Sequence, residues 1–159
     1  MKKIVLISPI LQHYRISFYE KLAKANPDYE LIVFHGVKKS EDGKPGYSGE
    51  TSFKNVGFIQ SKYKFLPFSI RHDKGMYKEF KKVNPDILII QGITGNISYR
   101  LCNSWARRHN KIIIGWTCGF EPGVAKGAML WLKNKLVSSF FKKADYFLTY
   151  SSNSSRYVE

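Results

Sequence analysis

Short unbroken apolar runs alternate along the chain with longer stretches in which apolar residues recur at helical spacing. The runs at residues 4–7, 30–35, 86–90, 111–116 and 145–150 hold many β-branched residues and show no polar alternation. Such runs are typical of strands in a parallel sheet that is covered on both faces. The pattern therefore predicts strands at these five places.

The stretches between the runs complete the predicted order of elements. Residues 52–58 are a weaker strand, and residues 61–70, with aromatic residues among lysines and Pro67, fit neither period and are predicted to be irregular. Residues 38–49, with three glycines and one proline, predict a loop. Apolar residues at a spacing of three or four predict helices at residues 14–25, 74–83, 96–109 and 123–143.

Six strands separated by helical crossovers predict an α/β fold with a Rossmann-like, doubly wound parallel β-sheet flanked by helices. The 159 residues suit a single domain, residues 1–159. Ligands of this architecture bind at the carboxyl ends of the strands, so the loops that follow the strands are the place to search for a site.

The composition limits the partners. The chain has 26 Lys and Arg against 12 Asp and Glu, a formal net charge of +14, which attracts nucleic acid, anionic membranes or phosphorylated ligands. Hydrophobic residues at 43% exclude intrinsic disorder. The two cysteines, Cys102 and Cys118, lack zinc-site spacing, which favours a reduced cytoplasmic compartment. No stretch approaches the roughly 20 apolar residues of a membrane span, so membrane contact is expected to be peripheral.

Several common chemistries are excluded by missing motifs. The first strand is followed by residues 8–13, which contain no glycine, so backbone cannot approach a dinucleotide pyrophosphate there. The chain has no Walker A sequence, no H-E-x-x-H and no clustered carboxylates. We therefore expect no NAD, no metal and no other cofactor in this domain.

Three segments carry a family resemblance. Residues 14–22 (YRISFYEKL) follow the first strand and Pro9, residues 84–92 (NPDILIIQG) contain a Pro-Asp strand, and residues 143–151 (KADYFLTYS) contain an Ala-Asp strand that ends in serine. In this order they resemble the N-terminal, acceptor-binding domain of GT-B glycosyltransferases of the family 4 kind. The resemblance spans nearly the whole chain.

The resemblance implies a half-enzyme. The donor nucleotide sugar is expected on a C-terminal domain that is absent from these 159 residues, so this chain alone is expected to be incomplete and inactive. The acceptor half is expected to bind a glycan or lipid-linked acceptor in bacterial cell-surface polysaccharide or lipopolysaccharide synthesis, at the inner face of the cell membrane. One departure is that residues 117–120 (TCGF) stand where many relatives carry a His-Gly pair.

His13 and Arg15 follow the first strand, at the edge where ligands collect. Because the related enzymes retain anomeric configuration, the resemblance implies that His13 positions an acceptor hydroxyl or stabilises phosphate charge, and we assign it the catalytic role. The alternative is that His13 caps the next helix. Arg15 is a candidate for binding an acceptor phosphate, and its alternative is a solvated surface charge.

The loop after the strand at residues 86–90 is rich in small residues. Gly92, Thr94 and Gly95 offer backbone donors and a hydroxyl to a sugar, and Asn96 closes the loop. Asn96 also suits the N-cap of the following helix, and for Asn96 this alternative is favoured.

Other candidate substrate-binding residues end neighbouring strands. Glu121 is the one acidic residue between Asp86 and Asp145, and it follows Cys118 and Gly119. Its carboxylate can accept hydrogen bonds from sugar hydroxyls, and the alternative is a salt bridge to a lysine. His35 ends the second strand, where a structural histidine is the favoured alternative.

The last predicted helix carries a candidate membrane face. Residues 123–143 hold five lysines and no acidic residue, and Trp131, Lys135 and Lys142 fall on one side at about 100° per residue. An indole flanked by lysines suits the headgroup layer of an anionic membrane. The opposite side is predicted to pack on the sheet through Met129, Leu130, Leu132, Leu136, Val137, Phe140 and Phe141.

Two other classes of function remain open. The charge and the ten tyrosines also suit a basic nucleic-acid-binding α/β domain, although no RNP or GXXG signature supports one and nucleic acid is not the expected partner. A standalone interaction module is the third possibility.

Overall fold

The computed structural model describes residues 1–37, 47, 49–65, 68–93, 95–117 and 127–149. Within these ranges the chain forms seven strands and four helices. In chain order they are β1 (Lys2–Ser8), α1 (His13–Ala25), β2 (Tyr29–Val37), β3 (Lys54–Phe65), β4 (Phe68–Asp73), α2 (Met76–Val83), β5 (Ile87–Gln91), α3 (Ile97–Arg108), β6 (Ile112–Thr117), α4 (Ala128–Phe141) and β7 (Tyr146–Thr149).

The strands form one sheet in the order β4-β3-β2-β1-β5-β6-β7, and every neighbouring pair is parallel except β3 with β4. The chain leaves β1 in one direction to reach β2 and β3, and later returns to the other side of β1 to form β5 and β6. This reversal is the topological switch point of a doubly wound sheet, where a crevice opens between the loops that follow β1 and β5. The predicted Rossmann-like fold is confirmed.

The helices cover the two faces of the sheet unequally. α2, α3 and α4 pack on one face around Phe34, Phe80 and Tyr99, and α1 packs on the other through Ile16 and Tyr19. Apolar side chains that alternate along β1 and β2 point into both layers, which is why these strands read as unbroken hydrophobic runs.

Two aspartates lock the beginnings of neighbouring strands together. Asp86 precedes β5 and accepts a hydrogen bond from Lys3 N (2.8 Å) at the start of β1. Asp145 precedes β7 and accepts one from Ile113 N (2.8 Å) in β6, while its other oxygen pairs with Arg107 Nη1 (2.8 Å). The Pro-Asp and Ala-Asp segments of the sequence therefore have a structural role at the amino edge of the sheet.

Two predictions about the sheet are wrong. Residues 61–70 are not irregular, because β3 continues to Phe65 and pairs antiparallel with β4, for example Tyr63 with Ile70. The described sheet therefore has seven strands rather than six, and one edge is antiparallel. The missed signal is the polar and aromatic alternation at Lys62 and Tyr63, which has the period of two expected for a ribbon with one exposed face.

The α1 layer leaves the outer part of its sheet face open. Ile114 and Trp116 of β6 pack against the α1 cluster, and their register partners on β7 are Tyr146 and Leu148. Tyr146 is 63% exposed and Leu148 is 42% exposed. An apolar strip on β6 and β7 therefore faces solvent on the α1 side.

Candidate functional site

The loop after β1 is held against the end of β2 by a close backbone approach. Gly36 N, near the end of β2, donates a hydrogen bond to Pro9 O (3.1 Å) in the loop after β1. A Cβ atom at Gly36 would lie 2.6 Å from Pro9 O, so a side chain here would push the two segments apart. A glycine is therefore required where β2 meets the first loop.

A buried carboxylate lies beside this approach. Asp73, 1% exposed at the end of β4, accepts hydrogen bonds from Gln60 Nε2 (3.1 Å) at Oδ1 and from Asn96 Nδ2 at Oδ2. Its backbone N donates to Ser98 Oγ (2.9 Å). Asp73 thus ties β3 and β4 to the first turn of α3, and it fixes one wall of the crevice.

Asn96 closes the loop after β5 because its side chain caps the helix that follows. The Asn96 side chain accepts hydrogen bonds from Ser98 N (2.9 Å) and Tyr99 N (3.4 Å), which makes it the N-cap of α3. Gly95 O accepts from Arg71 N (2.9 Å), so this loop is also fastened to β4. Asn96 is 1% exposed, which fits the cap favoured from the sequence. Thr94 lies outside the described residues.

Gly92 is enclosed on two sides. Its N donates to Trp116 O (3.1 Å) at the end of β6, and a Cβ atom here would collide with the tip of the Phe141 ring. α4 therefore packs closely against the residue that follows β5. The structure adds no sugar contact to its predicted substrate-binding role.

His13 and Arg15 begin α1 at the rim of the crevice. His13 is the first helical residue and is exposed, with its ring edge-on to Tyr14 at a centroid distance of 5.7 Å. The N-cap position belongs to Gln12, which makes no side-chain capping bond, so His13 is not the cap. Its imidazole is therefore exposed at the carboxyl edge of the sheet.

The Arg15 guanidinium packs on an aromatic ring. Its Cζ lies 4.7 Å from the centroid of the Trp116 ring at the end of β6, and Phe18 lies 6.0 Å from the same ring. Arg15 is therefore a partly buried cation that packs on an aromatic ring. A cation and aromatic rings meet here at the carboxyl edge of the sheet, a combination that suits polar and planar ligand faces.

His35 is buried rather than lining an open surface. It is 8% exposed, its Nδ1 is 3.4 Å from Gly36 O, and Nε2 has no hydrogen-bond partner in the described part of the chain. The ring packs over Gly57 of β3. The arrangement matches the structural histidine favoured from the sequence, with one ring nitrogen left unpaired.

The remaining predicted substrate contacts, Cys118, Gly119 and Glu121, lie outside the described residues. The expected departure from the His-Gly pair of the relatives therefore stays a prediction.

The candidate membrane face of α4 is exposed. Trp131 is 62% exposed, Lys135 Nζ lies 4.9 Å from its ring centroid, and Lys142 is exposed at the end of the helix. Phe140 is buried against the sheet as predicted, but Leu136 is 40% exposed, so its assignment to the buried side is wrong. Leu136 lies where α4 meets α3, and its carbonyl accepts from Arg100 Nη2 (3.0 Å).

Sequence reasoning missed Asp73, Gln60 and Trp116. Asp73 and Gln60 lie at the two ends of the unpredicted hairpin, so no motif drew attention to them. Trp116 ends a predicted strand, and this position alone could have marked it as a candidate site residue, because aromatic side chains at the carboxyl ends of strands can line a ligand site.

Burial perturbs two groups behind the crevice. Burial raises the pKa of the Cys102 thiol and the pKa of the Tyr99 hydroxyl, and the nearby Asp73 carboxylate adds to both effects. Both groups are therefore neutral near pH 7, and Cys102 is not a reactive nucleophile in the folded chain.

The described residues hold neither a bilayer-spanning helix nor a cluster of metal-ligating side chains. No helix among them is both long and apolar enough to cross a bilayer. They also contain no group of three or more His, Cys, Asp or Glu side chains placed to share a metal ion.

The fold and its crevice define a Rossmann-like α/β domain. No protein-family model matches the chain, and no curated protein sequence is similar to it. One similar solved structure is described as a UDP-N-acetylglucosamine 2-epimerase from Listeria monocytogenes, with a TM-score of 0.56, 14% identity, and coverage of 99% of this chain and 41% of that chain. A second solved structure, also described as a UDP-N-acetylglucosamine 2-epimerase, has a TM-score of 0.58 and 12% identity, and the match covers 99% of this chain and 44% of that chain.

An alpha-glucosyltransferase in complex with UDP and DNA is also similar, at a lower TM-score of 0.46, 13% identity, and coverage of 96% of this chain and 38% of that chain. At these identities the likeness to the two epimerases shows the Rossmann-like fold alone. The chain spans less than half the length of either epimerase.

Proposed function

We propose that this chain is the acceptor-binding half of a glycosyltransferase. The complete enzyme transfers a sugar from a nucleotide-sugar donor to a glycan or lipid-linked acceptor in cell-surface polysaccharide or lipopolysaccharide synthesis. The observation that carries the proposal is the carboxyl edge of the sheet at the switch point, where His13 and Arg15 begin α1, Arg15 packs on Trp116, and the first loop lacks a dinucleotide-binding turn.

The half-enzyme assignment draws support from the open apolar strip. Tyr146 and Leu148 expose large side chains on a sheet type that is normally covered on both faces. Further chain of the same protein, including a donor-binding domain, is the covering that the proposal requires. The chain's share of the two epimerases, 41% and 44%, is compatible with one of two halves.

Within this proposal, the donor nucleotide sugar belongs to the other half and needs no metal in this one. His13 positions an acceptor hydroxyl or stabilises phosphate charge, and Arg15 binds an acceptor phosphate. Gly92, Gly95 and the segment containing Cys118, Gly119 and Glu121 supply further contacts from the neighbouring loops. The exposed ridge of α4, formed by Trp131, Lys135 and Lys142, brings the enzyme to the inner face of an anionic membrane.

A second candidate reaction is epimerisation of a nucleotide sugar. It is favoured by the fact that two similar solved structures with TM-scores above 0.5 are described as UDP-N-acetylglucosamine 2-epimerases. The family-like segments at residues 14–22, 84–92 and 143–151 favour transfer instead. The two reactions differ in products, because transfer releases the nucleotide and epimerisation leaves it attached to the sugar.

The experiment is a product assay on the full-length protein with labelled nucleotide sugars and a lipid extract of the source cells. We expect release of the nucleotide and transfer of label to a lipid or glycan. His13→Ala should lower turnover by roughly tenfold or more without lowering the melting temperature, because an exposed rim side chain adds little to the core.

The matched control is His109→Ala. His109 is also exposed but lies at the opposite edge of the sheet, where its ring stacks on Trp105 at 4.0 Å. This variant should keep full turnover. If the product is an isomerised nucleotide sugar and no nucleotide is released, the reaction is epimerisation and not transfer. Unchanged turnover of His13→Ala would show that His13 has no catalytic role.

A further inference from the structure

Basic side chains gather where α3 meets the end of α4. Arg100, Ser104 and Arg108 are spaced by four residues and therefore lie above one another on α3. Lys143 Nζ donates to Ser104 Oγ (2.7 Å), Arg108 Nε donates to Ser104 O (3.3 Å), and Arg100 Nη2 donates to Leu136 O (3.0 Å). We call Arg100, Ser104, Arg108 and Lys143 the α3–α4 notch.

The cations of the notch repel one another. The pKa of the Lys143 ammonium is lowered by partial burial and by the positive charges of Arg100 and Arg108, and partial burial also lowers the pKa of Arg100. The ion pairs found in the described part of the chain join Glu79 with Lys82 and Asp145 with Arg107, so no described carboxylate pairs with Lys143 or Arg108. A bound anion would offset this repulsion, and the Ser104 hydroxyl adds a neutral hydrogen-bonding group.

Apolar side chains flank the notch. Leu101 on α3 is 37% exposed and Leu136 on α4 is 40% exposed, and Ile97 lies one turn before Leu101 on the same side of α3. A free phosphate ion needs the cations alone. The phosphate of a bilayer lipid also brings an apolar layer, which gives these exposed leucines a place to be buried.

We propose that the α3–α4 notch binds the phosphate group of an anionic phospholipid in a bilayer, with Leu101 and Leu136 at the boundary between headgroups and acyl chains. This inference rests on the membrane association within the proposed function, but it uses residues other than the exposed ridge of α4. Phosphate is the shared chemistry of a lipid headgroup, free phosphate and nucleic acid, and the lipid is favoured because the flanking side chains are apolar.

The test is sedimentation with vesicles of phosphatidylcholine containing phosphatidylglycerol, at low and at high salt. The variant Arg108→Gln with Lys143→Gln should bind on the order of thirtyfold more weakly, because each basic residue near an anionic surface contributes a factor of roughly five in affinity. The control, Lys21→Gln with Lys24→Gln, removes the same charge from exposed positions on α1, in the opposite layer. It should bind within about threefold of the wild type, through the loss of long-range attraction alone.

Ser104→Asp separates ligand binding from folding. The new carboxylate would pair with the surrounding cations, so this variant should lose vesicle binding while its melting temperature stays the same or rises. Loss of binding in an intact or more stable protein is the result that supports a phosphate site. A melting temperature that rises with unchanged vesicle binding would overturn the proposal.

Two further outcomes would also overturn it. Equal vesicle binding by the notch variant and the α1 control would exclude the notch, but membrane association through other residues would remain possible. If neither the wild type nor any variant bound vesicles, both the notch site and the proposed membrane association would be excluded. Titration with inorganic phosphate and with single-stranded RNA forms the last arm. Binding of either probe that is lost in the notch variant, with vesicle binding retained, would replace the lipid by a ligand in solution.

Discussion

Two glycines near the crevice should respond differently to the same added methyl group. In Gly36→Ala the new Cβ meets the backbone oxygen of Pro9, which can move only with its whole loop, whereas in Gly92→Ala it meets the tip of the partly exposed Phe141 side chain, which can shift outward. We expect Gly36→Ala to lower the free energy of unfolding by roughly 1–3 kcal/mol. Gly92→Ala should cost less than about 1 kcal/mol, since alanine also restricts the unfolded chain.

Urea denaturation of the two variants measures both values. The double variant Gly92→Ala with Phe141→Leu provides a control for the ring contact, because leucine leaves space for the methyl group. An unchanged free energy of unfolding in Gly36→Ala would show that the loop after β1 is not held by this approach.

The buried acids behind the crevice predict a loss of stability at alkaline pH. The pKa values of Cys102 and Tyr99 are raised by burial, so both groups keep their protons in the folded chain when the unfolded chain has lost them, above about pH 8.5 and about pH 10. The unfolded state then binds fewer protons, and stability decreases as the pH rises. Their contribution is fully present below about pH 8.5.

Urea midpoints measured from about pH 7 to about pH 11, a range that spans the ordinary pKa values of both groups, test this prediction. Cys102→Ala should remove the first part of the decrease. Tyr99→Phe should remove the second part at little cost near neutral pH, because the buried Tyr99 hydroxyl has no hydrogen-bond partner in the described structure. The same alkaline decrease in the wild type and in the double variant would contradict the assignment.

The candidate site was only partly predictable from single residues. Asn96 was predictable as an N-cap because its side chain needs only the next turn of its own helix. Asp73 was not, because its partners Gln60 and Asn96 lie 13 and 23 residues away and depend on the β3–β4 hairpin. Local chemistry is visible in a sequence, whereas a contact between distant elements is visible only once their pairing is known.

At the scale of elements, the buried strands were predictable and the edge was not. β1 and β5 have both faces covered, so their sequences are unbroken apolar runs. The outer half of β3 and its partner β4 pair beyond the covered sheet, so their sequence mixes lysines and aromatics. The rule that unbroken apolar runs predict strands therefore identified the parallel strands but not the antiparallel edge.

The exposed ridge of α4 carries the prediction for this element. Trp131→Ala combined with Lys135→Glu and Lys142→Glu should weaken binding to anionic vesicles by roughly thirtyfold or more, because two attractive charges become repulsive and an interfacial ring is lost. Trp131 and Lys142 are exposed, so the melting temperature should change little.

Sedimentation at low and high salt measures this binding, which should weaken at high salt and be nearly absent with neutral vesicles. The matched control is Lys21→Glu with Lys24→Glu on α1, which reverses the same number of lysines in the opposite layer. Unchanged vesicle binding by the α4 variant would exclude this ridge as the membrane face.

At the scale of the whole molecule, the net charge and the exposed apolar strip favour different kinds of partner. The net charge of +14 sets long-range attraction to any polyanion and does not select among them. The apolar strip on β6 and β7 is local and selects for a surface that fits it. Recognition of this strip by shape and burial would suit the adjoining domain that we propose better than a diffusing polyanion.

The last prediction concerns the nucleotide sugar. The loop after β1, residues 8–13, has no glycine that lets backbone donors surround a pyrophosphate, and the chain spans 41% and 44% of two epimerases named for a nucleotide sugar. If the base, ribose and pyrophosphate are held by another domain, the isolated chain has too few contacts to offset the entropy lost on binding. We expect calorimetry of the 159-residue chain with UDP-, GDP- and ADP-sugars to show no tight binding, and the full-length protein to bind one of them. A micromolar Kd of the isolated chain for any of these sugars would show that this domain holds the donor itself, and the half-enzyme assignment would have to be abandoned.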